Sequence, residues 1–164
     1  MPRRASASTP AVAALIRAGI AHELHPYEHD PASELSYGLE AAAALGVPPA
    51  QVFKTLCVLA DGTLSMAITP VDGTLDVKAV AKALGAKRAT MADPADAERA
   101  TGYVVGGISP LGGRKRLPAV LDSSALDLDR VYVSGGQRGL DLSLAPTDLV
   151  RLTGAAVATI RKDS

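Results

Sequence analysis

Along Phe-Lys-Thr-Leu-Cys-Val-Leu-Ala, residues 53–60, both alternating sets of positions are apolar. Phe53, Thr55, Cys57 and Leu59 point one way; Lys54, Leu56, Val58 and Ala60 point the other, because strand side chains alternate. A strand apolar on both sides is central in a sheet and covered on both faces. Asp61-Gly62 is a hairpin turn and Thr63–Thr69 its returning strand. Further strands are expected over Ile20–Tyr27, Tyr103–Val105, Ala119–Asp122, Val131–Ser134, Leu140–Leu144 and Ala155–Ile160. Start and stop residues mark the helices. Thr9-Pro10 opens Ala11–Ala18, closed by Gly19; Leu39–Leu45 ends at Gly46; Asp76 caps Val77–Leu84. Asp93-Pro94 starts a helix to about Ala100, and a short one covers Thr147–Leu152. Strands outnumber helices and tight turns join several, so the class is α+β with a mixed, mostly antiparallel sheet.

Composition narrows the picture. With 164 residues, 48% of them apolar, the chain has material for one domain over 9–164, preceded by a short flexible tail at 1–8. No apolar run approaches the ~20 residues of a membrane span, and no secretion signal is visible, so a cytoplasmic location is the simplest expectation. Cys57 is the only cysteine, which excludes an internal disulfide and a Cys-rich zinc site. Lys plus Arg and Asp plus Glu each total 17. A neutral chain does not coat nucleic acid by bulk charge, so any nucleic-acid partner is gripped locally or delivered by another protein. Four tyrosines, one phenylalanine and no tryptophan leave little for a broad base-stacking platform.

Candidate chemistry gathers at three places. Lys54 is either a strand-end amine reaching water along its stem or a cation holding a substrate group at a pocket rim. Gly106-Gly107-Ile108-Ser109-Pro110 continues to Gly112-Gly113 without the Gly-Lys-Ser/Thr ending of a nucleotide-binding loop. Its bare backbone suits either an irregular turn or close approach of a ligand to exposed N–H groups. Ser134-Gly135-Gly136-Gln137-Arg138-Gly139-Leu140-Asp141 reads as a hairpin turning on Gly135-Gly136, which lets Ser134 and Asp141 meet across the ladder. His22, His25 and His29 lack a metal-site pattern, so no metal or other cofactor is expected. Cys57 reads as a buried, inert thiol, and no Ser-His-Asp order is recognisable. A pocket without an evident nucleophile is the result.

Five segments in order, Tyr27–Pro31, Val52–Leu56, Ile68–Lys87, Thr101–Gly112 and Tyr132–Asp141, resemble the YbaK family over about Thr9–Ile160. These are free-standing aminoacyl-tRNA deacylases related to the editing domain of bacterial prolyl-tRNA synthetases, and the resemblance is greatest to the branch acting on Cys-tRNA(Pro). It implies a barrel-like mixed sheet ringed by helices. It implies catalytic roles for Lys54 and Gly106, and substrate-binding positions at Tyr27, Tyr37, Thr55, Gly107, Ile108, Ser109, Pro110, Ser134 and Asp141. Tyr37 stands where that family has phenylalanine. The implied partner is the 3′ terminal adenosine of tRNA with its attached cysteine, with Arg114, Lys115 and Arg116 on phosphates and prolyl-tRNA synthetase delivering the substrate. The implied chemistry is substrate-assisted: the cysteine thiol attacks its own ester. Two alternatives stay open: an Ala-tRNA(Pro) deacylase that activates water, and a non-catalytic module that binds aminoacyl-tRNA or a synthetase.

Overall fold

The computed structural model describes residues 9–163; the expected tail at 1–8 and its Arg3-Arg4 pair lie outside them. The element order is α1 (Pro10–Ala18), β1 (Glu23–Pro26), α2 (Tyr37–Leu45), β2 (Phe53–Ala60), β3 (Thr63–Pro70), β4 (Thr74–Leu75), α3 (Val77–Ala83) and β5 (Ala89–Met91). There follow α4 (Pro94–Thr101), β6 (Ala119–Asp122), β7 (Val131–Gln137), β8 (Leu140–Leu144), α5 (Pro146–Thr153), β9 (Ala156–Ala158) and β10 (Arg161–Lys162). The helix starts follow their caps: Thr9, Ser36, Asp76 and Asp93 each accept a backbone N–H from the first turn.

β2 and β3 form the predicted hairpin, Phe53 opposite Pro70 through Ala60 opposite Thr63. They lie inside a five-stranded sheet ordered β5-β2-β3-β6-β9, in which β3–β6 and β6–β9 pair in parallel. A three-stranded antiparallel sheet, β1-β8-β7, stands against it, and a single parallel bridge from Val52 to Tyr132 ties the two together. β4 and β10 make a separate two-stranded ribbon.

The main core fills the space between the sheets. Phe53, Ile68 and Leu121 meet Val131, Val133, Leu142 and Leu144 there, and α1 adds Leu15 and α5 Leu149. On the far face of the five-stranded sheet, Val58, Ala67 and Val120 pack with Val80 of α3 and with Ile160. The central strand is therefore covered on both sides, as its two-faced apolar pattern requires.

Four expectations need correction. Tyr103–Val105 is not a strand, because neighbouring side chains take its N–H groups: Thr101 Oγ1 accepts from Tyr103, and Glu98 Oε2 from Val105. The β7–β8 hairpin turns at Arg138-Gly139, and Gly135-Gly136 form an irregularity inside β7 where the register shifts. The first strand starts at Glu23, since the N–H of Ile20 is spent closing α1 onto Leu15. The last strand splits because Asp122 Oδ1 accepts from the N–H groups of Ile160 and Arg161, drawing the chain off the sheet.

Candidate active site

The pairing of β2 leaves a gap. β5 pairs only with Val58–Ala60, and the bridge to β7 is made at Val52, the residue before β2, so one edge of Lys54–Leu56 has no ladder partner. The N–H of Ala92 donates to the Cys57 carbonyl at 3.0 Å, which shows that Cys57 turns its main-chain groups toward this edge. Two residues earlier on an antiparallel strand, Thr55 turns its own N–H and C=O the same way. A cavity of about 400 Å³ runs along this edge.

Its walls come from five places. β2 supplies Lys54, Thr55 and Cys57; the start of α2 supplies Tyr37 and Gly38; the segment before and within α4 supplies Met91, Pro94 and Ala97. The glycine loop supplies Val105, Gly106 and Ile108, and the three-stranded sheet with its flank supplies Ser134, Asp141 and Tyr27. Ser134 and Asp141 are register partners on β7 and β8, so they do meet across the ladder.

Lys54 is half-buried at this wall, and its amine donates to the Gly73 carbonyl at 3.1 Å. Burial lowers its pKa from the ordinary lysine value, opposed by the Asp72 carboxylate. One N–H of the ammonium is bonded to Gly73, leaving its remaining hydrogens for a ligand. Thr55 lines the cavity, and its Oγ1, itself closed off from solvent, has no hydrogen-bond partner. Such a group costs roughly 1–3 kcal/mol unless something satisfies it. Asp141 is buried and pushed up to about 7 by that burial. Tyr27 is raised to about 12, first by burial and then by Asp141. Burial also raises the Cys57 thiol, and no histidine bonds it, so it is no activated nucleophile. His25 Nε2 does lie 2.8 Å from Ser143 Oγ, but Ser143 is fully buried and off the cavity wall. Among the described residues no three His, Cys, Asp or Glu side chains cluster as a metal centre would need.

The glycine loop divides. Gly106 has φ +90°, and a Cβ there would lie 2.8 Å from the Tyr37 ring. Gly107 is buried against the Gln137 and Arg138 backbone, and its N–H is used on the Val104 carbonyl. Ser109 and Pro110 are buried too and line a second, smaller cavity of about 170 Å³ with Lys115 and Arg116. Gly107, packed on the Gln137–Arg138 backbone, and Ser109 and Pro110, which lie beyond the point where the chain turns away, therefore shape the loop and do not line the main cavity. Arg114, Lys115 and Arg116 are exposed at that far end. Arg114 donates to the Arg99 carbonyl in the last turn of α4, and the Arg116 guanidinium lies beside Gly154 at the end of α5.

Sequence reasoning missed Arg138. Its Nε donates to the Val105 carbonyl at 2.9 Å, and its guanidinium lies 4.9 Å from the Tyr37 ring centroid. It ties loop, α2 and hairpin turn together at the cavity mouth. The available signal was a cation at a hairpin tip, hidden by placing the turn at Gly135-Gly136. Glu40 was missed likewise. It accepts from the Asp30 N–H and pairs with His29 Nδ1 at 2.8 Å, fixing the loop before Tyr37.

Comparison with known proteins gives this cavity a context. The family model for the aminoacyl-tRNA editing domain matches residues 35–152. The Enterococcus faecalis protein EbsC, named for Cys-tRNA(Pro)/Cys-tRNA(Cys) deacylation, is 38% identical over 120 residues, 73% of each chain. The proline–tRNA ligase of Acidithiobacillus ferrooxidans is 37% identical over 103 residues, which are 63% of this chain and 18% of the ligase. A solved structure described as a trans-editing enzyme for prolyl tRNA synthetase superposes with TM-score 0.83 over 99% of each chain at 24% identity, a likeness of fold. The family match takes in every wall of the cavity except Tyr27, and on it the chain belongs to the aminoacyl-tRNA editing domain family.

Proposed function

We propose that the chain is an aminoacyl-tRNA deacylase that hydrolyses Cys-tRNA(Pro), and also Cys-tRNA(Cys), after release from the synthetase. One observation carries the reading: the half-buried Lys54, with Thr55 beside it, lines a cavity that holds no activated protein nucleophile. Similarity to EbsC supports cysteine as the amino acid.

The missing nucleophile is then the substrate's own. The cysteine thiol attacks the ester carbonyl, a sulfur–carbon bond forms, and the carbon–oxygen bond to the ribose breaks. The thiol proton goes to the departing ribose oxygen, which leaves free tRNA and a cyclic thioester. Water opens that ring to give cysteine. The enzyme's work is to fold the aminoacyl group into attack geometry and to stabilise negative charge on the carbonyl oxygen. Lys54 orients the terminal nucleotide or polarises the carbonyl. The Thr55 main-chain groups, with the N–H of Gly106, hold the ester and ribose oxygens. Asp141, Ser134 and Tyr27 close the opposite wall.

Net charge is zero, so the protein alone binds tRNA weakly and a partner delivers the charged end. The similarity to proline–tRNA ligases makes prolyl-tRNA synthetase the partner we propose. Asp141 favours a second reading: a carboxyl titrating near 7 suits a base that activates water, as an Ala-tRNA(Pro) deacylase requires. Deacylation of Cys-, Ala- and Ser-charged tRNA(Pro), measured side by side, separates the two. Lys54→Ala should abolish activity with the fold intact, and Lys54→Arg should not restore it, because the planar fork is larger and bonds differently. A Lys54→Ala protein that keeps most of its activity overturns the proposal.

A further inference from the structure

We propose that Arg161 is a positioning residue for Lys54, acting through the Asp72-Gly73 turn; this rests on Lys54 serving the deacylation proposed above. Arg161 lies past residue 152, where the family match ends, and far along the chain from β2. The fold nevertheless brings it to the carbonyl that holds the lysine amine.

The contacts form a short relay. Lys54 Nζ donates to the Gly73 carbonyl. The preceding residue, Asp72, is gripped twice by Arg161, Nε to its carboxylate at 2.7 Å and Nη2 to its carbonyl at 3.2 Å. Arg161 is itself held: its N–H donates to the buried Asp122 carboxylate at 2.9 Å, and it pairs with Leu75 in the β10–β4 ribbon. Gly73 fits beneath with no room to spare, since a Cβ there would stand 2.7 Å from Arg161 Nε and 2.8 Å from the Lys162 carbonyl. The turn is therefore clamped between strand and guanidinium, and so is its carbonyl.

Electrostatics explain why an arginine is needed there. Asp72 is the anion that acts on the Lys54 amine. Left alone, a carboxylate beside an ammonium draws it into an ion pair, away from the cavity. Arg161 occupies the Asp72 carboxylate, so the amine rests on the neutral Gly73 carbonyl and keeps hydrogens for substrate. Asp163 also accepts from Arg161, and across the cavity stand Asp141 and the Tyr27 phenol. The Asp141 titration lies near 7, below the lysine range, and should appear unchanged in every variant that spares it.

The test follows the Lys54 side chain directly, by NMR of lysine-labelled full-length protein through the alkaline range, alongside pH profiles of deacylation. Arg161→Met removes a positive charge and frees Asp72, so the Lys54 midpoint should rise by roughly half a pH unit or more. Asp72→Asn removes the negative charge, so it should fall by a similar amount. The alkaline limb of kcat should move with each midpoint, kcat in Arg161→Met should drop about tenfold with little change in KM, and Arg161→Lys should recover part of it. A merely structural Arg161 would lower Tm and leave the Lys54 midpoint where it was. Unmoved midpoints, or both variants shifting it the same way, overturn the proposal. The NMR readout needs no turnover, so absence of deacylation in the unmodified protein would count against the proposed function and leave this relay to be judged on its own.

Discussion

Gly106 and Gly112 belong to one loop and are bare for different reasons. Gly106 faces the cavity at φ +90° with the Tyr37 ring against it. Gly112, at φ +67°, faces the start of α1, where a Cβ would lie 2.3 Å from the Pro10 carbonyl oxygen. The first glycine makes space for a ligand wall; the second lets two pieces of backbone touch. A glycine-rich stretch is thus two structures in sequence, one serving the site and one serving the core, and the division falls after Ile108.

Variants on the two sides should fail in different ways. The largest effect is expected on the cavity side, at Asp141. Its pKa is raised in the folded protein to about 7, so the native state binds more protons than the unfolded chain between about pH 4 and 7. Stability is full below the unfolded value, falls as pH rises through that window, and is flat above it. Asp141→Asn should remove the slope and add on the order of 2–3 kcal/mol at pH 8, read by urea unfolding at several pH values. An unchanged slope would mean the carboxyl is not held neutral by burial.

On the packing side, Gly112→Ala should cost about 2–3 kcal/mol, since positive φ and a backbone clash coincide, with activity per folded molecule nearly unchanged. Gly106→Ala should do the reverse: a deacylation rate lower by about tenfold to a hundredfold, with stability down by only about 1 kcal/mol. If both variants lose stability and activity in proportion, the two halves act as one structural unit and the distinction is wrong. The smallest effects belong to the cations. Arg114 and Arg116 sit at the C-terminal ends of α4 and α5, where a positive charge contributes about 0.3–1 kcal/mol. Reversing both should lower Tm slightly and weaken binding of all tRNAs alike, severalfold at low salt and less at high salt. A loss confined to one tRNA would assign them a reading role instead.

Several parts of this architecture are legible in the residues. Phe53–Ala60 announces a doubly covered strand because nearly every position is apolar, and Thr9, Asp76 and Asp93 announce their helices because one side chain decides each start. The Ser36 cap goes unread, and α2 begins at Tyr37, two residues before the expected Leu39. β5 escapes notice: Ala89–Met91 is three residues long, with two exposed, and its pairing with β2 is a tertiary fact. Tyr103–Val105 looks like a strand because Tyr-Val-Val favours one, yet local side chains take two of its N–H groups first. In the site, the resemblance brings Lys54, Gly106, Tyr27, Tyr37, Thr55, Ile108, Ser134 and Asp141 to one cavity, and these do line it. It also includes Gly107, Ser109 and Pro110, which do not. Motif membership and cavity exposure are different properties, and only the path of the loop separates them. The contacts of Arg138 and Arg161 stayed unread because they depend on what the fold sets beside them.

The clamp on the Asp72-Gly73 turn also sets a timetable. Arg161 follows Asp72 by 89 positions, and β9 and β10 join strands laid down much earlier in the chain. A ribosome making this protein therefore completes the helices, the β2–β3 hairpin and the β7–β8 hairpin before the residue that restrains the Asp72-Gly73 turn exists. Sheets closed by such distant partners assemble slowly, because chain ends must meet before their contacts repay the lost freedom. Refolding followed by circular dichroism should run ahead of refolding followed by deacylation, and the interval between them is the time taken to seat the last two strands.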